Sequence, residues 1–228
     1  MARKPRFSLG GEVHLVVQRV RPERVPLFRN EWAFEHYLQA LTPLILPHQI
    51  TVYAYALLSD RVYLLVQPQS DDAISHLLQA HARFFVSSMN RRFGWRGGLW
   101  LDRFSCAMVD PQWLLQVMRF IDISPAQAGL VSSAGVYRWS SYAEHIGQQS
   151  TSFLQFPQAY WELGRTAMER EQAYAKWCQE YVSRADLRYI EQVAIRNGVI
   201  GENPYIQMLE ARTNKKLMPV KRGRPSKK

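Results

Sequence analysis

Residues 57–68 read Leu57-Leu58-Ser59-Asp60-Arg61-Val62-Tyr63-Leu64-Leu65-Val66-Gln67-Pro68. Ser59-Asp60 has the composition of a tight turn. The residues after it alternate with a period of two, putting Val62, Leu64 and Val66 on one face of a strand and Arg61, Tyr63 and Leu65 on the other. Ile50–Leu58 is the strand before the turn, so the two form a hairpin. Arg61 and Tyr63 flank Val62 at the mouth of that hairpin. Neither is a ligand for a divalent metal at neutral pH, because a guanidinium is permanently cationic and offers no lone pair.

The rest of the chain supplies a scaffold for this hairpin. Glu12–Arg19 alternates Val13, Leu15 and Val17 and reads as the first strand. Asn30 is placed to cap a helix carrying Phe34, Leu38, Leu41 and Ile45 at helical spacing, with Pro43 set to bend or end it. Ser70 or Asp71 caps a long second helix with Ile74, Leu77, Leu78, Phe84, Phe85 and Met89 as inner positions. A glycine-rich turn at 94–98 leads to a fourth strand near Phe104–Val109 and a short helix around Trp113–Ile121. The order β-α-β-β-α-β is that of an α+β, ferredoxin-like split sheet, a scaffold that hosts many functions. Beyond about Gln148 the pattern becomes mainly helical, with helices expected at Glu169–Tyr181, Ala185–Arg196 and Pro204–Lys216. The chain thus divides into a sheet domain at 1–147, a helical extension at 148–216 and a flexible basic tail at 217–228.

The landmarks along this scaffold resemble those of the REP-associated tyrosine transposases, a single-tyrosine HUH transposase family. They appear in family order: Gln18-Arg19, Tyr55-Ala56-Leu57-Leu58, Leu64-Leu65-Val66, Asn90-Arg91-Arg92, Gly98-Leu99-Trp100 with Arg103-Phe104, Arg119-Phe120-Ile121, Ser124-Pro125, Ala128-Gly129-Leu130 and Trp139-Ser140-Ser141-Tyr142. In that family two histidines flanking one hydrophobic residue hold a divalent metal, and a helix tyrosine attacks the scissile phosphate of single-stranded DNA. The resemblance places Arg61 and Tyr63 where the histidines stand. Counting five residues back from Asn90 places Phe85 where the tyrosine stands. It therefore implies a degenerate site with no catalytic residue, no metal and no cofactor, and a protein that is not an enzyme. The alternative is a relocated active site, for which Tyr63 offers a phenol and His14 lies one position from a family histidine that aligns with Leu15. The other histidines (His36, His48, His76, His81 and His145) are scattered, and no spacing joins Asp60, Asp102 and Asp110 into a metal site.

Charge points to the retained function. The formal net charge is +10. Eight basic residues and no acid follow from Arg212 onward, and Arg3, Lys4 and Arg6 add three at the other end. The intervening body is close to neutral, so the cations sit in terminal arms suited to phosphate backbones, unless they serve solubility alone. Between Arg83 and Arg103 stand five arginines (Arg83, Arg91, Arg92, Arg96 and Arg103) against the single acid Asp102, interleaved with Phe93, Trp95 and Trp100. Cations beside aromatic faces suit single-stranded or hairpin DNA, with Asn90 and Arg61 as further contacts. The competing reading makes Phe93 and Trp100 core and the arginines a solvated helix end. The tail, Lys221-Arg222-Gly223-Arg224-Pro225-Ser226-Lys227-Lys228, resembles an AT-hook whose Arg-Gly-Arg centre enters a narrow minor groove. The expected partner is hairpin or palindromic DNA, with an RNA hairpin as the rival.

Cys106 and Cys178, without metal-ligand spacing, read as reduced thiols of a cytoplasmic protein acting at the nucleoid. No apolar run is long enough for a membrane span, and the basic start has no apolar stretch behind it. Monomer and homodimer are both compatible with the sequence.

Overall fold

The computed structural model describes residues 8–217. The chain order is β1 (Val13–Arg19), α1 (Glu31–Ile45), β2 (Ile50–Leu57), β3 (Arg61–Pro68), α2 (Ala73–Phe93), β4 (Ser105–Val109) and α3 (Leu114–Gln127). There follow α4 (Tyr142–His145), α5 (Gln158–Trp161), α6 (Ala167–Gln179), α7 (Arg184–Ile195), β5 (Val199–Ile200) and α8 (Asn203–Thr213). The strands form one mixed sheet in the order β2-β3-β1-β4-β5, antiparallel except for the β4–β5 pair. Among the described residues, no helix is long and apolar enough to cross a membrane.

Two hydrophobic layers cover the sheet, and the period of two in β3 assigns side chains to each. Val62, Leu64 and Val66 face α1 and α2, joining Tyr37, Leu41, Ile74, Leu77 and Phe85 in one core. Tyr63 and Leu65 face the other way, into a core built by Val117, Phe120 and Ile121 of α3 with Tyr174, Ile190 and Ala194 from α6 and α7. Each layer removes apolar surface from water at roughly 25 cal/mol per Å².

Local chemistry sets the helix ends. Asn30 accepts a hydrogen bond from the Ala33 amide at 3.1 Å and starts α1. Pro43 lies inside α1, which runs on to Ile45 instead of ending there. Gly94, at φ 65°, closes α2 in the left-handed conformation that glycine adopts without a Cβ penalty. Thr166 and Glu169 form a reciprocal capping box at the start of α6.

Several features differ from the sequence expectation, among them the start of α2, whose N-cap residue is Asp72 and not Ser70 or Asp71. Phe84, expected inside, is 58% exposed, because the stripe of α2 that faces the sheet runs through His81, Phe85 and Met89. α3 continues to Gln127, past Pro125, whereas the sequence suggests an end near Ile121. The helical extension also contributes a strand: β5 pairs with the end of β4, Met108 opposite Val199. Two residues bounded by Asn197-Gly198 and Gly201 carry too short a pattern to read as a strand.

Candidate nucleic-acid interface

Arg61 opens β3 and lies opposite Arg19, the last residue of β1. Its Nε and Nη2 donate to the Asp60 carboxylate, at 3.1 and 2.7 Å, and its Nη1 donates to Glu191 of α7 and, at 3.3 Å, to the Tyr63 hydroxyl. Those bonds, acting against burial, raise the pKa of the guanidinium further, so it stays charged throughout. Burial pushes the Tyr63 phenol up to about 12, opposed in part by Arg61. Tyr63 packs edge-on against Phe120 of α3, with ring centroids 5.2 Å apart. A cavity of about 500 Å³ adjoins this group, between the hairpin turn, α3 and α7.

The structure does not bring Arg61, Tyr63 and Phe85 together. Phe85 is wholly buried on the opposite face of the sheet, within ring-contact distance of Phe28, His36, Tyr37, His81 and Trp100. A nucleophile working with groups at positions 61 and 63 must stand on their own face, and the α3 aromatic found there is Phe120. Counting back from Asn90 groups Phe85 with Arg61 and Tyr63, but sequence distance along α2 carries no information about which face of the sheet that helix covers. Phe85→Tyr is therefore expected to bury an unpaired hydroxyl, costing roughly 1–3 kcal/mol, and to restore no strand cleavage. Chemical unfolding and a hairpin cleavage assay check both parts. Among the described residues, no three His, Cys, Asp or Glu side chains group as a metal site requires. His14, one of the relocation candidates, is buried with its pKa lowered to about 4 by desolvation, and its Nδ1 bonds the Glu12 carbonyl at 2.8 Å.

The arginines gather at the same end of the sheet. The segment after β1 and the loop after α2 pack on each other: the Arg21 amide donates to the Leu99 carbonyl at 2.9 Å, and Arg24 Nη2 donates to the Arg96 carbonyl at 3.0 Å. Arg19 pairs with Asp102 at 3.2 Å. The guanidinium centres of Arg24 and Arg29 lie 4.8 and 5.0 Å from the Trp95 ring centroid, and Phe93 stacks on the same ring at 4.8 Å. Trp95 is consequently a packing hub for arginines and does not present the open stacking face expected of it. Asn90 likewise has a local role, its Nδ2 donating to the Gly97 carbonyl at 2.9 Å. Arg92 lies over Trp32 at 4.9 Å. Arg91, Arg96 and Arg103 are exposed and form no ion pair among the described residues. Arg83 is also exposed but sits two turns back along α2.

Sequence reasoning missed Arg19, Arg21, Arg24 and Arg29. The available signal was four arginines in eleven residues at 19–29, diluted in the sequence by Glu23 and the intervening apolar residues. Lys221, Arg222, Arg224, Lys227 and Lys228 of the expected tail, and Arg3, Lys4 and Arg6, lie outside the described residues.

No protein-family model matches the sequence, and no curated protein matches it either. Among solved structures, the REP-associated tyrosine transposase bound to a REP hairpin aligns with 69% of this chain and 99% of its own, at 14% identity and a TM-score of 0.53. A candidate transposase of Deinococcus radiodurans R1 aligns with 53% of this chain and 95% of its own, at 19% identity and a TM-score of 0.36, too low to build on. The split sheet with a helical layer on each face is an α+β fold. More narrowly, the chain has the fold of the REP-associated tyrosine transposase.

Proposed function

We propose that this protein is a nuclease-dead, domesticated relative of the REP-associated transposases that binds hairpin or palindromic DNA and acts by occupancy, as a transcriptional regulator or nucleoid-associated factor. The observation that carries the reading is the convergence of Arg21, Arg24, Arg29, Arg91, Arg92, Arg96 and Arg103 at one end of the sheet. A dense cationic rim supplies sequence-independent affinity for phosphates with a steep salt dependence. The fold neighbour's own complex with a REP hairpin supports the choice of partner.

Inactivity rests on the face that holds Arg61, Tyr63 and Phe120. Phe120 has no hydroxyl, Arg61 has no lone pair for a metal, and the Tyr63 phenol is held neutral at physiological pH. Arg61 also changes role from the sequence expectation. Clasped by Asp60 and Glu191, it is a structural cation and not an open phosphate contact.

Incubating the protein with labelled hairpin DNA and manganese tests the whole reading. The expected result is a reversible complex that EDTA leaves unchanged, with no covalent adduct after denaturation. A DNA–protein adduct would establish an active, relocated nuclease site instead. A matched RNA hairpin is expected to compete more weakly than DNA, and stronger competition would make the protein an RNA-hairpin binder.

A further inference from the structure

Arg119 of α3 is 8% exposed, yet it has no carboxylate within ion-pair distance among the described residues. Its Nη2 donates to the Glu180 carbonyl at 2.5 Å and its guanidinium lies over Trp177 at 4.7 Å. Its Nε is buried and has no hydrogen-bond partner. The carboxylate three residues on, Asp122, is already engaged by Ser141, His145 and Tyr174. A buried cation that lacks a counter-charge is costly to keep, and an orphaned donor adds to that cost.

Arg119 lines a cavity of about 220 Å³ between α3, α6 and α7. Its apolar walls include Trp113, Phe120, Trp177 and Tyr181, and its polar lining includes Gln116 and Asp186. The geometry points to a binding site for a small aromatic carboxylate: a ring between the indole and phenyl walls, and a carboxylate completing the hydrogen bonds and charge of Arg119. Three observations select that class. A planar fork favours a planar, bidentate anion. The volume lies below the range of about 300–1,000 Å³ usual for larger ligands, which limits the occupant to about one ring system. Asp186 at the rim opposes a doubly charged phosphate more strongly than a monoanion.

The test titrates the full chain with benzoate, benzamide and inorganic phosphate, reading tryptophan fluorescence and calorimetry. Trp113 and Trp177 face the cavity, so occupancy should alter their emission. Saturable benzoate binding is expected with a Kd below about 1 mM, with benzamide and phosphate at least about tenfold weaker. Arg119→Lys should weaken benzoate about tenfold, since an ammonium lacks the fork. Gln116→Phe, on an exposed position of α3, should fill the rim and abolish binding without lowering the unfolding midpoint. Equal affinity for benzamide, tighter binding of phosphate, unaltered benzoate binding in Gln116→Phe, or no saturable response to benzoate would each overturn the assignment.

Discussion

Replacing Asp122 by Ala is expected to remove about 3–5 kcal/mol of folding stability, the range for breaking a buried charge pair from one side. Asp122 is completely buried on α3 and accepts from Ser141 at 2.6 Å, His145 Nδ1 at 2.6 Å and Tyr174 at 2.7 Å. One side chain therefore ties α4 and α6 to the helix that covers the sheet. His145 Nε2 bonds the Tyr53 carbonyl at 2.9 Å, so both ring nitrogens have acceptors and the imidazolium form suits the site. Truncation leaves that cation and two hydroxyls without their shared acceptor. Urea unfolding followed by tryptophan fluorescence measures the loss. A cost under about 1 kcal/mol would mean that the network is solvated or rearranges freely. Asp122→Asn should be milder, because it keeps an acceptor but loses the counter-charge.

The same pair gives a pH dependence. Burial alone would lower the His145 pKa, but the charge and hydrogen bond of Asp122 outweigh it and the net shift is upward. A group whose folded pKa lies above its unfolded value of about 6.5 contributes fully below that value and loses its contribution as pH rises through the folded pKa. This part of the stability should therefore fall on the alkaline side. A His145→Asn variant should lack that fall.

Simultaneous Arg91→Ala, Arg96→Ala and Arg103→Ala substitution is expected to weaken hairpin binding about 10- to 100-fold. These side chains are exposed and outside the ion pairs, so their loss leaves the fold intact. The diagnostic quantity is the salt slope. Each phosphate contact contributes about 0.7–0.9 to it, so three lost contacts should reduce it by about two to three. Arg61→Ala, by contrast, should change affinity less than about twofold while lowering stability, because Asp60 and Glu191 already occupy that guanidinium. An unchanged slope in the triple variant would separate the rim from DNA binding. A large affinity loss in Arg61→Ala would return that residue to the interface.

The hairpin at 50–68 was legible because period-two alternation and a Ser-Asp turn act over neighbouring residues only. Helix starts at Asn30 and Thr166 follow from equally local capping chemistry, although only the former was anticipated. The arginine cluster was half legible. Arg91, Arg92, Arg96 and Arg103 are close in sequence, but Arg24 and Arg29 reach Trp95 only after the chain has folded back across about seventy residues. Asp122 gave no sign at all, since its partners lie 19, 23 and 52 residues away.

By itself the sequence determined the order of elements from β1 to α3, the split-sheet class and the absence of histidines at positions 61 and 63. These depend on periodicity and residue type, which are properties of short windows. Only the tertiary structure decided which residues share a face. It set Phe120, and not Phe85, against Tyr63, clasped Arg61 between two carboxylates and left Arg119 buried with no counter-charge among the described residues. The physical reason is that a sheet has two faces and a helix can cover either. That choice is made by long-range packing, which no local pattern encodes.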